Sequence, residues 1–255
     1  MGAITFIIPF IVLITLVVFI HEYGHYYFAR KYGVGVTDFS IGFGKEIFGF
    51  NDKSGTRWKF CAIPLGGYVK FFGDRNVFSQ AEQDELLKEY SEKDQKKLFV
   101  VKPIYQRSLI VAAGPFANFV LAILIFAFIY MFAGKDFTPA QIQEVQKDSP
   151  AFVAGIKNGD IISSIDNNKV NSIMEVSTFI NASTNDQINI EVLRNEDKLT
   201  FSVIPKSFEG KDTLGNTINK KIIGIIISPL NDEINRERLG PASALFYAVK
   251  ETWFV

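Results

Sequence analysis

Two long uncharged runs constrain the fold of this chain more than any other feature. Residues 3–20 contain no charged side chain, and residues 108–132 form a second such run. About 20 consecutive apolar residues are enough for a helix to cross the hydrocarbon core of a bilayer. The sequence therefore predicts two membrane-spanning helices, one over residues 1–28 and one over residues 108–133.

A secretory signal peptide is the competing interpretation of the first run. Such a peptide has a basic start and a small-residue cleavage site before the mature protein. Met1-Gly2-Ala3-Ile4 carries no charged side chain, and the run leads directly into His21. We therefore expect a retained span.

The end of the first run carries a metal-binding pattern, His21-Glu22-Tyr23-Gly24-His25. On a helix, His21 and His25 lie one turn apart on one face, so both imidazoles can reach one ion. Glu22 lies beside them and can take a proton from a metal-bound water. A catalytic zinc site needs three protein ligands and a water, and the motif supplies two. A chance match is the alternative, but ionisable groups at the end of a span are costly and usually functional.

Composition argues against a nucleic-acid-binding protein and against a disulfide-stabilised one. The chain has a formal net charge of +0, which argues against nucleic acid as its main partner. Its single cysteine, Cys61, cannot form an internal disulfide framework.

The basic residues predict the orientation of the two spans. None precedes the first run, whereas Arg30 and Lys31 follow it and Lys102 and Arg107 precede the second. Cytoplasmic segments next to spans are enriched in Lys and Arg. We therefore expect residues 29–107 to be cytoplasmic, the N-terminus to be outside and the metal motif to lie near the cytoplasmic face.

Between the spans, the sequence predicts a β-hairpin and a charged helix. Residues 56–63 and 68–72 are rich in aromatic and β-forming side chains and lie on either side of Pro64-Leu65-Gly66-Gly67, which predicts a turn. The hairpin is either a plain surface feature or an edge near the active site that pairs with an extended substrate. Residues 79–97 predict a solvated helix that begins with a capping box at Ser79-Gln80-Ala81-Glu82.

The rest of the sequence contains a polar side chain within the second span and predicts a second domain after it. Asn118 lies in the second span, where it either bonds a neighbouring helix or donates to an oxyanion beside the metal. Residues 134–230 predict a small, mostly β domain with two helices, on the outer side. Residues 231–255 predict an amphipathic helix after which no third apolar run is present.

In order along the chain, these segments resemble the site-2 protease family of intramembrane zinc metalloproteases, and the bacterial regulator of sigma-E protease branch in particular. The segments that carry the resemblance are His21-Glu22-Tyr23-Gly24-His25, Ile63-Pro64-Leu65-Gly66-Gly67-Tyr68-Val69-Lys70 and Ala113-Gly114-Pro115-Phe116-Ala117-Asn118. A further set resembles a PDZ domain: Ser149-Pro150-Ala151, Gly155, Gly159-Asp160-Ile161-Ile162 and Val170.

The resemblance implies a fold and a set of roles. The fold is an α-helical membrane protein with a membrane-associated β-hairpin region and one inserted PDZ-like α+β domain. His21 and His25 would bind Zn²⁺, and Glu22 would be the general base. Gly66, Gly67, Tyr68 and Asn118 would bind the substrate.

The implied partners are the transmembrane segments of single-span membrane proteins, with an anti-sigma factor as one candidate. The lipid bilayer and peptide C-termini at the PDZ domain are the others. The implied location is the bacterial inner membrane.

The resemblance is incomplete at one point. The family's third zinc ligand is an aspartate in an Asp-Gly motif on a third membrane helix, which we expect beyond Val255. The resemblance therefore predicts a truncated endopeptidase. The alternative is a membrane-anchored PDZ module that binds peptides without cutting them. A different kind of membrane protease with the same motif is disfavoured because the motif lies in the first span.

Overall fold

The computed structural model describes residues 4–74, 89–211, 216–230 and 233–254. The chain divides into two compact units, Met1–Ile125 and Phe126–Val255.

Among the described residues, two helices are long and apolar enough to cross a membrane. They are α1 (Ile4–Lys31) and α3 (Ile104–Phe132), and each continues through an internal proline. Many of their large apolar side chains are exposed, including Phe6, Phe10 and Phe116. An apolar surface of this kind suits a lipid environment better than water.

The first unit contains one long β-hairpin between the two helices. Strands β1 (Val36–Asn51) and β2 (Arg57–Phe71) pair antiparallel, and the chain reverses over residues 52–56. The predicted turn at Pro64-Leu65-Gly66-Gly67 is therefore wrong, because these residues lie inside β2. The prediction failed because Pro and Gly mark a bend within this strand and not its end.

The hairpin curls back on itself at that bend. Asp38 pairs with both Lys70 and Arg57, and Ile41 pairs with both Gly67 and Phe60. Residues 38–41 thus have the two ends of β2 as neighbours, one on each side. The opposing bend in β1 contains Gly42 and Gly44, whose φ values of 87° and 85° lie in the left-handed region that favours glycine.

Little of the predicted charged helix lies among the described residues. Its capping box at Ser79-Gln80-Ala81-Glu82 is outside them. The described part contains only the short helix α2 (Glu92–Gln95), which begins after Ser91, whose hydroxyl accepts from the Asp94 N–H. A small core in this unit is formed by Ala29, Val34, Val36, Phe99 and Ile110.

The second unit is built around a six-stranded sheet. The sheet strands are β4 (Ala140–Val145), β5 (Ile161–Ile165), β6 (Asn168–Lys169), β7 (Ile188–Arg194), β8 (Asp197–Val203) and β11 (Ile225–Pro229). Their order in the sheet is β11-β4-β5-β7-β8, and β6 pairs with β5. The helices are α4 (Pro150–Ala154), α5 (Ile173–Ala182) and α6 (Pro241–Phe254). Two further pairs are β3 (Lys135–Asp136) with β12 (Arg236–Glu237), and β9 (Lys206–Lys211) with β10 (Thr217–Ile222).

Alternating apolar residues explain the core of this sheet. Ile188, Ile190 and Val192 on β7 are fully buried, while the residues between them point outward or are half-buried. Val176, Phe179 and Ile180 of α5 cover this core. Residues 134–230 of this unit thus consist mostly of strands, together with the helices α4 and α5.

Candidate metal centre

The two histidines of the motif point at one place. Their ring centroids are 4.9 Å apart, with the ring planes at 76°. A side chain at Gly114 on α3 would collide with both Nε2 atoms, and its Cβ would lie 2.7 Å from Nε2 of His21. Because Gly114 has no side chain, the space facing both nitrogens stays open. Two imidazole nitrogens aimed at one open space are a suitable pair of zinc ligands.

The second ring nitrogen of His25 is held by the neighbouring helix. Nδ1 of His25 lies 2.8 Å from the carbonyl oxygen of Ile110, which can only accept, so Nδ1 carries the proton. This leaves Nε2 unprotonated and facing the space at Gly114. Metal-binding histidines are usually oriented in this way by an outer hydrogen bond.

The second ring nitrogen of His21 contacts Asn118. The amide nitrogen Nδ2 lies 3.2 Å from Nδ1 of His21, and the amide oxygen Oδ1 is buried without a hydrogen-bond partner. Turning the amide end for end places Oδ1 against Nδ1, which then donates its proton and leaves Nε2 free. In this arrangement Oδ1 of Asn118 has a hydrogen-bond partner, and Nε2 of His21 is free to bind a metal ion. The residues present therefore fit zinc.

Close helix packing brings these groups together. A Cβ on Gly24 would lie 2.8 Å from the carbonyl carbon of Ala113 and 3.0 Å from Cβ of Ala117. The absence of that Cβ lets α1 and α3 approach each other beside the motif. The same approach brings Gly114 and Asn118 to the histidines.

Glu22 faces the hairpin. The backbone N–H of Val69 on β2 lies on the side of its carboxylate. Gly67 packs directly on α1, since a Cβ there would lie 2.9 Å from Cγ1 of Val18 and 3.0 Å from Cγ of Glu22. The carboxylate is therefore held between the motif helix and strand β2.

A cleft of about 320 Å³ opens beside Glu22 and His25. Gly67 and Tyr68 line it, together with apolar side chains. Gly66 does not line it; a Cβ there would instead meet the ring of Phe43, 2.8 Å from its Cζ. The apolar lining is Phe43, Val69, Phe71, Ile110 and Val111.

The structure thus places His21, His25 and Asn118 in one cluster, and Glu22, Gly67 and Tyr68 beside it. Within residues 4–74, 89–211, 216–230 and 233–254, no group of three or more His, Cys, Asp or Glu side chains could hold a metal. Sequence reasoning missed the carbonyl of Ile110 and the N–H of Val69. Both are backbone groups, and no residue type signals them.

The comparisons with known proteins agree on one family. The model of peptidase family M50 matches residues 9–254. A candidate zinc metalloprotease of Mesorhizobium japonicum is 40% identical, over 98% of this chain and 68% of its own length. Another from Agrobacterium fabrum is 40% identical over 98% of this chain and 66% of its own length. Metalloprotease MmpA of Caulobacter vibrioides is 33% identical over 99% of this chain and 64% of its own length.

Two solved PDZ domains of SdrC-like proteins are similar to part of the chain. The one from Listeria monocytogenes is 22% identical, with a TM-score of 0.28, over 36% of this chain and 88% of that one. The one from Listeria innocua is 25% identical, with a TM-score of 0.27, over 35% of this chain and 92% of that one.

The family match confirms the resemblance seen in the sequence. The chain spans about two thirds of the length of its curated relatives. The relatives' names imply zinc, and the two apolar helices together with the family indicate a membrane protein. A match over nearly the whole sequence assigns this protein to peptidase family M50, and so to the proteases.

Proposed function

We propose that this protein is an intramembrane zinc endopeptidase that cleaves the transmembrane segments of single-span membrane proteins. The observation that carries the proposal is the convergence of the His21 and His25 Nε2 atoms on the open space at Gly114, beside Glu22. This convergence lies on two helices of membrane-spanning length. A protease site so placed suits a peptide bond that is itself inside the membrane.

The chain's own residues divide the chemistry between them. Zinc, when bound, polarises the scissile carbonyl and makes water a nucleophile at neutral pH. His21 and His25 hold it with the orientation that Asn118 and the Ile110 carbonyl fix. Glu22 takes the proton from the attacking water and gives it to the leaving amine.

Strand β2 presents the substrate. A transmembrane helix has to unwind before its backbone can reach the site, and an extended peptide can pair with a strand edge. Residues 67–69 lie where such a peptide would pass Glu22 and His25. Gly67 keeps this part of β2 close to the carboxylate, and Tyr68 borders the path.

The third zinc ligand is proposed to come from a part of the protein outside this sequence. Two imidazoles leave a zinc site one protein ligand short. The family resemblance implies an aspartate, and the described residues offer no third ligand next to the histidines.

A peptide groove in the second unit would select substrates. It has a volume of about 260 Å³ and lies between α5 and the segment leading into β11. Strand β11 pairs with β4 alone among the described strands, so its other edge is open to an added strand. The apolar side chains that line the groove are Val176, Ile180, Ile222, Ile223, Ile225 and Ile227. We propose that it binds the C-termini of peptides on the outer side of a bacterial inner membrane.

The test of the proposed function is Glu22→Gln in the full-length protein that carries this sequence. Cleavage of a single-span substrate, followed by mass spectrometry, should fall about 100-fold or more, as is typical when a general base is lost. Zinc content should stay unchanged. Glu144→Gln is the matched control, because Glu144 is exposed on β4. Cleavage by Glu22→Gln at the unsubstituted rate rejects the role of Glu22.

A peptide-binding module without protease activity is the second candidate. The groove beside α5 and the two-ligand metal set among the described residues favour it. It predicts that peptide binding survives His21→Ala with His25→Ala, that the unsubstituted protein holds no zinc, and that no substrate is cut.

A further inference from the structure

The turn of the β-hairpin is fastened to the motif helix by one carboxylate. Asp52 accepts four hydrogen bonds. Its Oδ2 accepts from the Tyr26 hydroxyl at 2.8 Å and from the Trp58 indole N–H at 3.2 Å. Its Oδ1 accepts from the backbone N–H groups of Ser54 at 2.8 Å and Thr56 at 3.0 Å. Oδ1 thus holds the backbone of the turn, and Oδ2 accepts from one side chain on α1 and one on β2.

Tyr26 belongs to the helix that carries the motif. It follows His25 directly and lies one turn after Glu22. Its ring packs edge-on against Trp58, with centroids 5.3 Å apart, and against Phe39, at 5.7 Å. Phe39 is fully buried and stacks on Trp58 at 4.1 Å. The turn thus brings a polar bond and an aromatic cluster to one side of α1.

The hairpin contacts α1 through Phe39, whose ring lies 5.9 Å from that of Phe19, and at two further places. Gly67 packs on Val18 and Glu22, and Asp52 with Trp58 packs on Tyr26. Because residues 38–41 pair with residues 57–60 on one side and 67–70 on the other, the two places are joined through β1.

The charge of Asp52 suits this role. Burial alone would raise the pKa of Asp52, but the hydrogen bonds from Tyr26, Thr56, Trp58 and Ser54 outweigh it and lower the pKa. A carboxylate has two oxygens that both accept, whereas an asparagine has one. Asparagine can keep the turn or the bond to Tyr26, but not both.

We propose that Asp52 is a positioning residue that, through Tyr26 and Trp58, holds the substrate-binding stretch of β2 at residues 67–69 against Glu22. Its catalytic consequence rests on the proposed protease function. The attachment itself does not, so the two can be tested separately.

The first test reads the attachment without any cleavage. In a Trp253→Phe background, Trp58 is the only tryptophan of this chain. Tyr26→Phe removes one hydroxyl, and Asp52→Asn removes one acceptor. Both should raise the acrylamide quenching constant of Trp58 about twofold. Tyr27→Phe and Asp186→Asn, at exposed positions, should leave it unchanged. Equal quenching in all four variants overturns the attachment.

The second test reads substrate positioning. Tyr26→Phe should raise KM for a single-span substrate about tenfold, with kcat and zinc content within twofold of the unsubstituted protein. A merely structural defect would lower the active fraction, and hence kcat, at unchanged KM, and that result overturns the proposal. If the unsubstituted protein cuts nothing, the protease function fails, and the quenching experiment alone decides whether Asp52 fastens the turn.

Discussion

Nδ1 of His25 lies 2.8 Å from the carbonyl oxygen of Ile110, which belongs to a different helix. This bond fixes the proton on Nδ1 and leaves Nε2 as an electron-pair donor. The tautomer of a residue on α1 is therefore set by the backbone of α3. Any change that separates the two helices should weaken metal binding before it unfolds either of them.

Gly114→Ala should abolish the open space between the histidines. The added Cβ would collide with Nε2 of both His21 and His25. We expect zinc affinity, measured by competition with a chromogenic chelator, to fall at least tenfold. Gly240→Ala is the control, since a Cβ there meets nothing within 4 Å. Zinc affinity that is equal in the two variants would reject the position of the site.

Asn118→Ala should reduce zinc affinity about 10- to 100-fold, the usual effect of losing an outer partner of a ligating histidine. Asn118→Asp keeps an acceptor for His21 Nδ1 and should recover most of the affinity. Isothermal titration with zinc separates the two variants. Phe119→Ala, on the neighbouring exposed side chain, should match the unsubstituted chain. An alanine variant with full affinity would show that Asn118 does not orient His21.

Gly67→Ala should separate substrate binding from metal binding. Its Cβ would collide with the Ser40 carbonyl, Val18 and Glu22, so β2 has to move away from α1. Cleavage should fall at least tenfold while zinc content is retained. Gly240→Ala is the control, because a Cβ there meets nothing within 4 Å. A Gly67→Ala variant that cleaves at the rate of Gly240→Ala would contradict the role assigned to Gly67.

Asp52 should make the hairpin sensitive to acid. The pKa of Asp52 is lowered in the folded chain, so its stabilising effect is complete above the ordinary value of 3.8. The effect is lost as pH falls below that value and through the folded pKa. In the Trp253→Phe background, urea unfolding followed by Trp58 fluorescence should show a smaller difference between the chains with and without Asp52→Asn at pH 3 than at pH 6. A difference that does not change with pH would reject this linkage.

Lys135 should be essential for the second unit. It is 5% exposed and its Nζ lies 3.1 Å from Glu251 and 3.6 Å from Glu175. Lys135→Met removes the cation from two carboxylates, of which Glu251 is about a third exposed, and the loss of a hydrogen bond between charged groups costs about 1.5–3 kcal/mol. Thermal unfolding by circular dichroism measures the loss. Lys147→Met, at an exposed position, should leave the midpoint within a degree or so of the unsubstituted chain.

The parts of the fold that depend on local pattern could be predicted from the sequence. Uncharged length predicts α1 and α3, and helical spacing brings His21 and His25 to one face. The turn at Pro64-Leu65-Gly66-Gly67 was wrong because β2 bends there under tertiary pairing. The partners of the histidine Nδ1 atoms depend on the register of α1 against α3, which composition does not encode. For the same reason, the sequence shows small residues in α3 but does not indicate that Gly114 is the one that leaves space for a metal ion between the histidines.

The double pairing of residues 38–41 has a consequence for assembly. A strand that slips by one residue turns every side chain to the opposite face. Here a slip of β1 would expel Phe39 from the aromatic cluster and, in the same movement, carry Gly67 away from Glu22. We therefore expect a hairpin that pairs out of register to leave the histidine motif uncovered.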